Sequence, residues 1–416
     1  MNKLSLPVVV GCCWLSSTAL FALDWPQWRG PDRSDVSKET GLLKQWPVAG
    51  PTRLWLDRNA GRGYSGFSVA GGKVFTMGIR EDMDAVFALD ENTGQELWVT
   101  SLTAAPFTES HGDGPRATPT FDSGKIYALG GQGTLLCVEA ATGKKVWSAA
   151  MRDFGGVAPQ WGYTESVLVD SNRVLCTPGG SRGAIVALDK ETGKLLWQSR
   201  GFTDPAQYSS IVPATFNGVP QYVQLTMRHV TGVRAADGEM LWQSPWPGQV
   251  AVVPTPIVSE DLVYVTSGYG VGNKLVRVGP NNQVRDVYRQ NTVLKNHHGG
   301  VVRVGDYLYG YSDQGQDAWV CQNFKTGTRV WASTALGKGA LTVADGMLYC
   351  VDERTGTVVL ADASPTGWKE HGRFRLNPQS RQRGPQGMVW THPVVSNGKL
   401  FLRDQEFIFC FNIKAN

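Results

Sequence analysis

No run of lysine or arginine occurs in the 416 residues, and the formal net charge is only +4. A nucleic-acid binder gathers its basic residues into a patch or stripe, so that class of partner is excluded. Beyond the first two dozen residues no segment is long and apolar enough to span a bilayer, which takes about 20 apolar residues in a helix. Helical periodicity is nearly absent, which argues against bundles and helical solenoids. Cysteine is scarce, at seven, with no CxxC and no zinc-type spacing. Cys12 and Cys13 fall near the N-terminus. The other five are an odd number, so at least one has no partner. All five sit in apolar, strand-like runs and read as buried thiols that pack as small hydrophobes.

The N-terminus reads as an export signal. Lys3 supplies a positive start, Leu4 to Leu20 is mostly apolar, and no charge follows until Asp24. Ala22 suits the last residue before cleavage, although Leu20 is larger than the small residue usual two places earlier. The rival is a lipid anchor: Val9-Val10-Gly11-Cys12 has the form of a bacterial lipobox, yet the apolar run continues past Cys12. Either way the expected location is periplasmic or secreted. The expected organisation is a signal peptide at 1–22, an arm at 23–51 and one large repeat domain at 52–416.

Glycine is abundant at 49, with 22 prolines and 15 tryptophans. Glycine and proline punctuate turns, which suits many short strands. The tryptophans mark a repeat. Ala88-Leu-Asp-Glu-Asn-Thr-Gly-Gln-Glu-Leu-Trp98 has counterparts ending at Trp147, Trp197, Trp242 and Trp331. Each segment reads as a strand, a tight turn in which Gly takes a positive φ, and a second strand. Trp98, Trp147, Trp197 and Trp242 are spaced by 49, 50 and 45 residues, a period of propeller blades. A second element precedes each turn, as in Gly72-Lys-Val-Phe75, Gly124-Lys-Ile-Tyr127 and Gly398-Lys-Leu-Phe401. With the variant Asn217-Gly-Val-Pro-Gln-Tyr222 these elements number eight.

Blade five has Pro280-Asn-Asn-Gln in place of Thr-Gly and Tyr288 near the Trp position. Blade eight has only three strands of its own, between Val389 and Ile413. Its outer strand is expected from Thr52-Arg-Leu-Trp-Leu56, with Trp55 in the Trp position. The fold expected is therefore all-β, an eight-bladed β-propeller closed by pairing the N-terminal strand with the C-terminal blade. Closure removes the exposed edges of an open array. The stretch from Asp24 to Gly50, with Trp25, Trp28 and Trp46, is expected to lie on the ring as a packing arm.

The A-x-D-x-x-T-G-x-x-x-W turn resembles the Trp-docking motif of PQQ (pyrroloquinoline quinone) repeats, over residues 52 to 414. Two groups with this eight-bladed fold are the quinoprotein alcohol dehydrogenases and the outer-membrane assembly lipoprotein that uses the propeller as a scaffold. Asp24-Trp-Pro-Gln-Trp-Arg-Gly-Pro31, Trp161-Gly-Tyr-Thr-Glu-Ser166 and Asn296-His-His-Gly-Gly300 are most similar to a third. These are secreted PQQ-like proteins common in planctomycete-type bacteria, often labelled quinoprotein or polyvinyl-alcohol-dehydrogenase-like. The resemblance implies the fold; it does not settle the activity, because one fold hosts many functions.

Aligning the blades on the hairpin places Tyr64, Arg116, Thr164, Ile211, Val253, His298, Lys338 and Trp390 on one ring at the channel mouth. His111, Asp113, Tyr163, Glu165, Tyr208, His297 and His392 lie one or two places away. Polar groups gathered there are wet, paired or bound to a ligand, because burying them alone is costly. Three cations, Arg116, His298 and Lys338, would repel one another without a balancing anion. The expected ligand is therefore small and anionic, with PQQ the specific candidate; an envelope protein is the other expected partner. Arg116 and Lys338 suit its carboxylates, and Trp390, Trp161 or Tyr64 could stack on its ring. His298 and Glu165 complete the candidate set.

The dehydrogenase reading lacks support at several points. No vicinal cysteine pair lies in the mature chain, acids for a calcium site are few, and the haem motif CxxCH is missing. Adjacent His297 and His298 would point to opposite faces of a strand, so no metal site is expected.

Overall fold

The computed structural model describes residues 23–315 and 317–415; the signal segment with Cys12 and Cys13 lies outside them. Eight sheets form the blades, each built on consecutive antiparallel strands in chain order, with an N-terminal strand added to blade seven and another to blade eight. They span 68–101, 120–150, 168–198, 212–245, 257–291, 301–333 and 339–375, with 394–412 as the eighth. In blade eight Thr52–Asp57 pairs antiparallel with Phe407–Asn412, and Trp55 lies opposite Cys410. The propeller is therefore closed as the repeat predicts. The helical elements described are two short 3-10 turns, Met151–Phe154 and Pro280–Asn282.

Along each middle strand both faces are buried, so these strands read as near-continuous apolar runs such as Lys73–Arg80 and Met83–Asp90. Phe75, Met77 and Ala88 of blade one pack against Ile126, Ala128 and Val138 of blade two. The outermost strands are half exposed, which leaves Leu97, Val146, Leu195 and Val330 at the perimeter. The five described cysteines are buried and unpaired, each in a strand.

Most of the repeat Trp side chains reach over to the next blade. The Trp147 indole N–H donates to the Lys190 carbonyl at 2.9 Å, and its ring covers Gly193, which has φ +71. Trp55 and Trp98 make the same reach to the Glu91 and Ala140 carbonyls. In blade five the Tyr288 hydroxyl takes over and donates to the Phe324 carbonyl at 2.9 Å. Because blade five offers no Thr-Gly turn, Trp242 instead donates to Gln221 of its own blade.

The arm does more than lie on the ring. It crosses one end of the channel and touches the innermost strands of several blades. Trp25 pairs with Val69, and the Pro26 carbonyl accepts from the Phe121 N–H. Arg29 donates to the Val301 carbonyl at 2.7 Å and Arg33 to that of Ser166 at 2.5 Å. Val36–Ser37 then runs parallel to Val343 and Ala344 as a fifth strand on blade seven.

Candidate functional site

With the arm as floor, the loops that lead into the first strands enclose a cavity of about 200 Å³. Its walls come from separate blades. Tyr64, Arg116, Trp161, His298 and Trp390, all expected here, line it, as do His111, Tyr208, His297 and His392. The rings touch one another in a chain. Tyr64 meets Trp390 at 4.9 Å, Trp390 meets His298 at 5.5 Å, His298 meets His297 at 4.3 Å, and His297 meets Tyr269 at 4.7 Å. Across the opening Trp161 packs between His111 and Tyr208, 5.6 Å from each. Trp28 and Arg29, from the arm, also face the cavity, with Trp28 4.7 Å from His392.

Two of the expected site residues lie off the wall. Thr164 and Ser166 line the cavity, so Glu165 between them faces the other way, as alternation along an extended chain requires. Its carboxylate accepts from the Thr177 N–H at 2.6 Å and the Thr177 hydroxyl at 3.0 Å. Burial pushes its pKa up to about 7 against those hydrogen bonds. Lys338 stands behind His297 and reaches the wall only through it: its Nζ lies 2.8 Å from His297 Nδ1 and 3.0 Å from Asp313. In blade four the wall residue is Ser210, and Ile211 packs in the core. His297 and His298 precede their strand in a bend, so strand alternation does not separate them and both rings reach the cavity.

The expected excess of positive charge is not there. Arg116 pairs with Glu109, donates to the Gly112 carbonyl, and lies over the Tyr64 ring at 4.9 Å. Lys338 pairs with Asp313, and His298 stands 3.3 Å from Glu353. Burial holds both imidazoles uncharged; the His297 pKa falls to about 3, with the Lys338 charge adding to the effect, and that of His298 falls well below its ordinary value. Burial also raises Glu353 to about 7. Each cation has its own carboxylate, so the argument for a balancing anion loses its premise.

The sequence reading missed Glu109, Asp313, Glu353, Tyr269 and the arm residues Trp28 and Arg29. A signal for three of them existed. The second strand of a blade runs antiparallel to the first, so its end returns to the same mouth. Tyr269, Asp313 and Glu353 each fall one or two places after such a strand, which end at Ser267, Ser312 and Asp352. Among the described residues no cluster of three or more His, Cys, Asp or Glu side chains could hold a metal ion.

The sequence matches the family described as outer membrane protein assembly factor BamB over residues 82–333. A protein of that name from Kangiella koreensis is 28% identical over 219 residues, which cover 50% of this chain and 49% of the relative. The dehydrogenase subunit of a quinone alcohol dehydrogenase from Komagataeibacter europaeus is 29% identical over 45% of this chain and 25% of its own length. The alignments thus span about half or less of these relatives. Among solved structures, BamB from Moraxella catarrhalis superposes with a TM-score of 0.62 at 14% identity, covering 87% of this chain and 99% of that one. Quinohemoprotein alcohol dehydrogenase from Comamonas testosteroni gives 0.60 at 12% identity, covering 95% of this chain and 81% of its own. At such identities the superpositions speak for the fold.

Proposed function

The chain belongs to the family described as outer membrane protein assembly factor BamB, and from that membership and the geometry of its mouth we propose an exported propeller that binds a small ligand over the arm. One observation carries this reading. Six Trp and Tyr side chains and four imidazoles converge from the arm and several blades on a single floored cavity. A concave, largely apolar site with a few placed polar groups is the ordinary form of a small-ligand site. Export is supported by the apolar segment Leu4 to Leu20 after Lys3, with the boundaries 1–22, 23–51 and 52–416.

The residues present do not fit PQQ well. Arg116 and Lys338 are already held by Glu109 and Asp313, so three ligand carboxylates would find no free cation. No cation-binding cluster stands near, among the described residues, and the five thiols lie in five different blades. The cavity, at about 200 Å³, is smaller than the roughly 300–1,000 Å³ usual for a drug-sized ligand. No step of an alcohol dehydrogenase reaction is therefore routed through PQQ, and catalysis is not part of the reading.

A thermal-shift screen of small molecules, repeated on Trp390→Ala, tests the proposal. We expect at least one compound to raise the melting temperature of the parent and not of the variant. Absence of any such compound overturns it. Calorimetry with PQQ is the companion measurement, and micromolar binding would overturn the fit argument. A second reading, a scaffold for outer-membrane assembly, is supported by the family match. It predicts a lipidated Cys12 at the mature N-terminus by mass spectrometry; cleavage after Ala22 speaks against it.

A further inference from the structure

The hydrogen bonds behind the wall fix which way its donors point. Lys338 Nζ lies 2.8 Å from His297 Nδ1, and an ammonium can only donate. His297 Nδ1 is therefore the acceptor, and the proton of the neutral ring sits on Nε2. That nitrogen lies 2.8 Å from the Tyr269 hydroxyl, so the N–H donates and the phenol oxygen accepts. The tautomer follows from the network, as it must when hydrogens are assigned. The Tyr269 O–H is then left without an acceptor among the described residues, on a side chain that lines the cavity. Asp313, 3.0 Å from Lys338, anchors the chain at its far end.

Tyr269 is also held in strain. It takes φ +57 between Gly268 and Gly270, a conformation that bulky residues rarely adopt and that tends to persist at functional sites. Tyr208, on the neighbouring wall, repeats the pattern. Its oxygen accepts from the Trp161 backbone N–H at 3.3 Å, which leaves its own O–H without an acceptor among the described residues. Two phenolic donors thus face a cavity walled by aromatic rings, while Glu109, Asp313 and Glu353 stand behind the wall. Arg116, Lys338 and Arg29 are balanced by Glu109, Asp313 and Asp35, so among the described residues the wall offers an anion no unpaired cation, whereas a neutral acceptor can take the phenolic O–H groups.

We infer that the site takes an uncharged, oxygen-rich ring, a monosaccharide or the end residue of a short oligosaccharide, with Tyr269 and Tyr208 donating to its oxygens. This rests on the reading that the cavity binds a small ligand. The aromatic faces cover the C–H face of such a ring, and a cavity of about 200 Å³ seats one ring. Lys338 is a positioning residue: it sets the His297 tautomer that aims Tyr269.

The test uses tryptophan fluorescence and calorimetry with glucose, galactose and maltose, with citrate as the anionic comparison. We expect saturable sugar binding and none of citrate. Tyr269→Phe should weaken sugar binding about fivefold, the size of one net hydrogen bond. Lys338→Met should give the same loss, the double variant no further loss, and Lys338→Gln, which keeps a donor toward His297, should restore binding. Citrate binding without sugar binding overturns the inference, as does sugar binding indifferent to Tyr269 and Lys338. If a compound from the thermal-shift screen binds at Trp390 and no sugar does, the inference falls and the ligand-site reading stands. If nothing binds, both fall.

Discussion

Glu165 and Arg33 occupy the wall from behind, and their charges have consequences for stability. Arg33, buried on the arm, donates to the Ser166 carbonyl through one nitrogen, while its Nε and Nη1 have no partner among the described residues. Burial lowers its pKa to about 9, against the pull of Glu165. Burial raises Glu165 from 4.5 to about 7. Between those two values the native state keeps a proton that the unfolded chain has lost, so this group's contribution to stability falls as pH rises through the window. The full effect is about 3 kcal/mol, at about 1.4 kcal/mol per pKa unit. Denaturant unfolding of parent and Glu165→Gln at pH 4.5 and pH 8 measures it. The variant should gain on the parent by about that amount at the higher pH; parallel stabilities would show that Glu165 does not carry the buried proton. The same residue marks where sequence spacing stops being informative. Counting eleven places back from the hairpin found Tyr64, Arg116, His298 and Trp390, because that distance is nearly constant from blade to blade. The count itself puts Thr164 on the wall, where it lies; admitting its neighbour Glu165 ignores the phase of alternation, and acids on loops of variable length escape the count.

At the level of the blade, the recurring Thr-Gly turn and Trp form one joint between neighbours. Trp147 sits against Gly193, where an added Cβ would come within 2.6 Å of the indole ring. Glycine is therefore required twice over at this turn, for its φ of +71 and for the space its missing side chain leaves. Trp147→Ala should cost about 3–5 kcal/mol, as other core Trp truncations do. Gly193→Ala should cost at least about 1–2 kcal/mol from the left-handed backbone alone, and more from the clash. Together they should cost less than their sum, because both open one joint. Chemical denaturation of the three variants checks this, and a Trp147→Ala loss below about 1 kcal/mol would show that the joint does not lock the blades. This level was the most legible in the sequence. The Trp spacing, the turn chemistry and the strand periodicity all state the same unit, and even Tyr288 in blade five keeps the joint with O–H in place of N–H. What the repeat could not show was how the arm is held, since it has no counterpart in other blades and its partners are backbone groups scattered from Val69 to Val343.

Over the whole ring, two devices hold the ends together, and they do different work. The Thr52–Asp57 strand completes blade eight and removes an edge. The arm before it ties innermost strands of blades one, two, three, six and seven to a single segment through Trp25, Pro26, Arg33, Arg29 and Val36. Because a propeller's blades otherwise contact mainly their neighbours, the arm is a direct link between opposite sides of the ring. Loosening it should therefore be felt by distant blades at once. We predict that deletion of residues 24–39, which spares the closing strand, leaves the ring assembled yet speeds amide exchange in the innermost strands of blades one, two, three, six and seven together. Arg33→Met and Trp25→Ala, which keep the arm's length, should produce the same distributed pattern in weaker form. Loss of Trp28 and Arg29 should in addition abolish the melting response to any compound that binds at Trp390, since both residues face that cavity. Hydrogen exchange read by mass spectrometry resolves the pattern blade by blade. If the faster exchange stays within the one blade each residue touches, the arm is a surface strap and not a brace. If it spreads across the ring, the floor of the site and the rigidity of the propeller depend on the same sixteen residues.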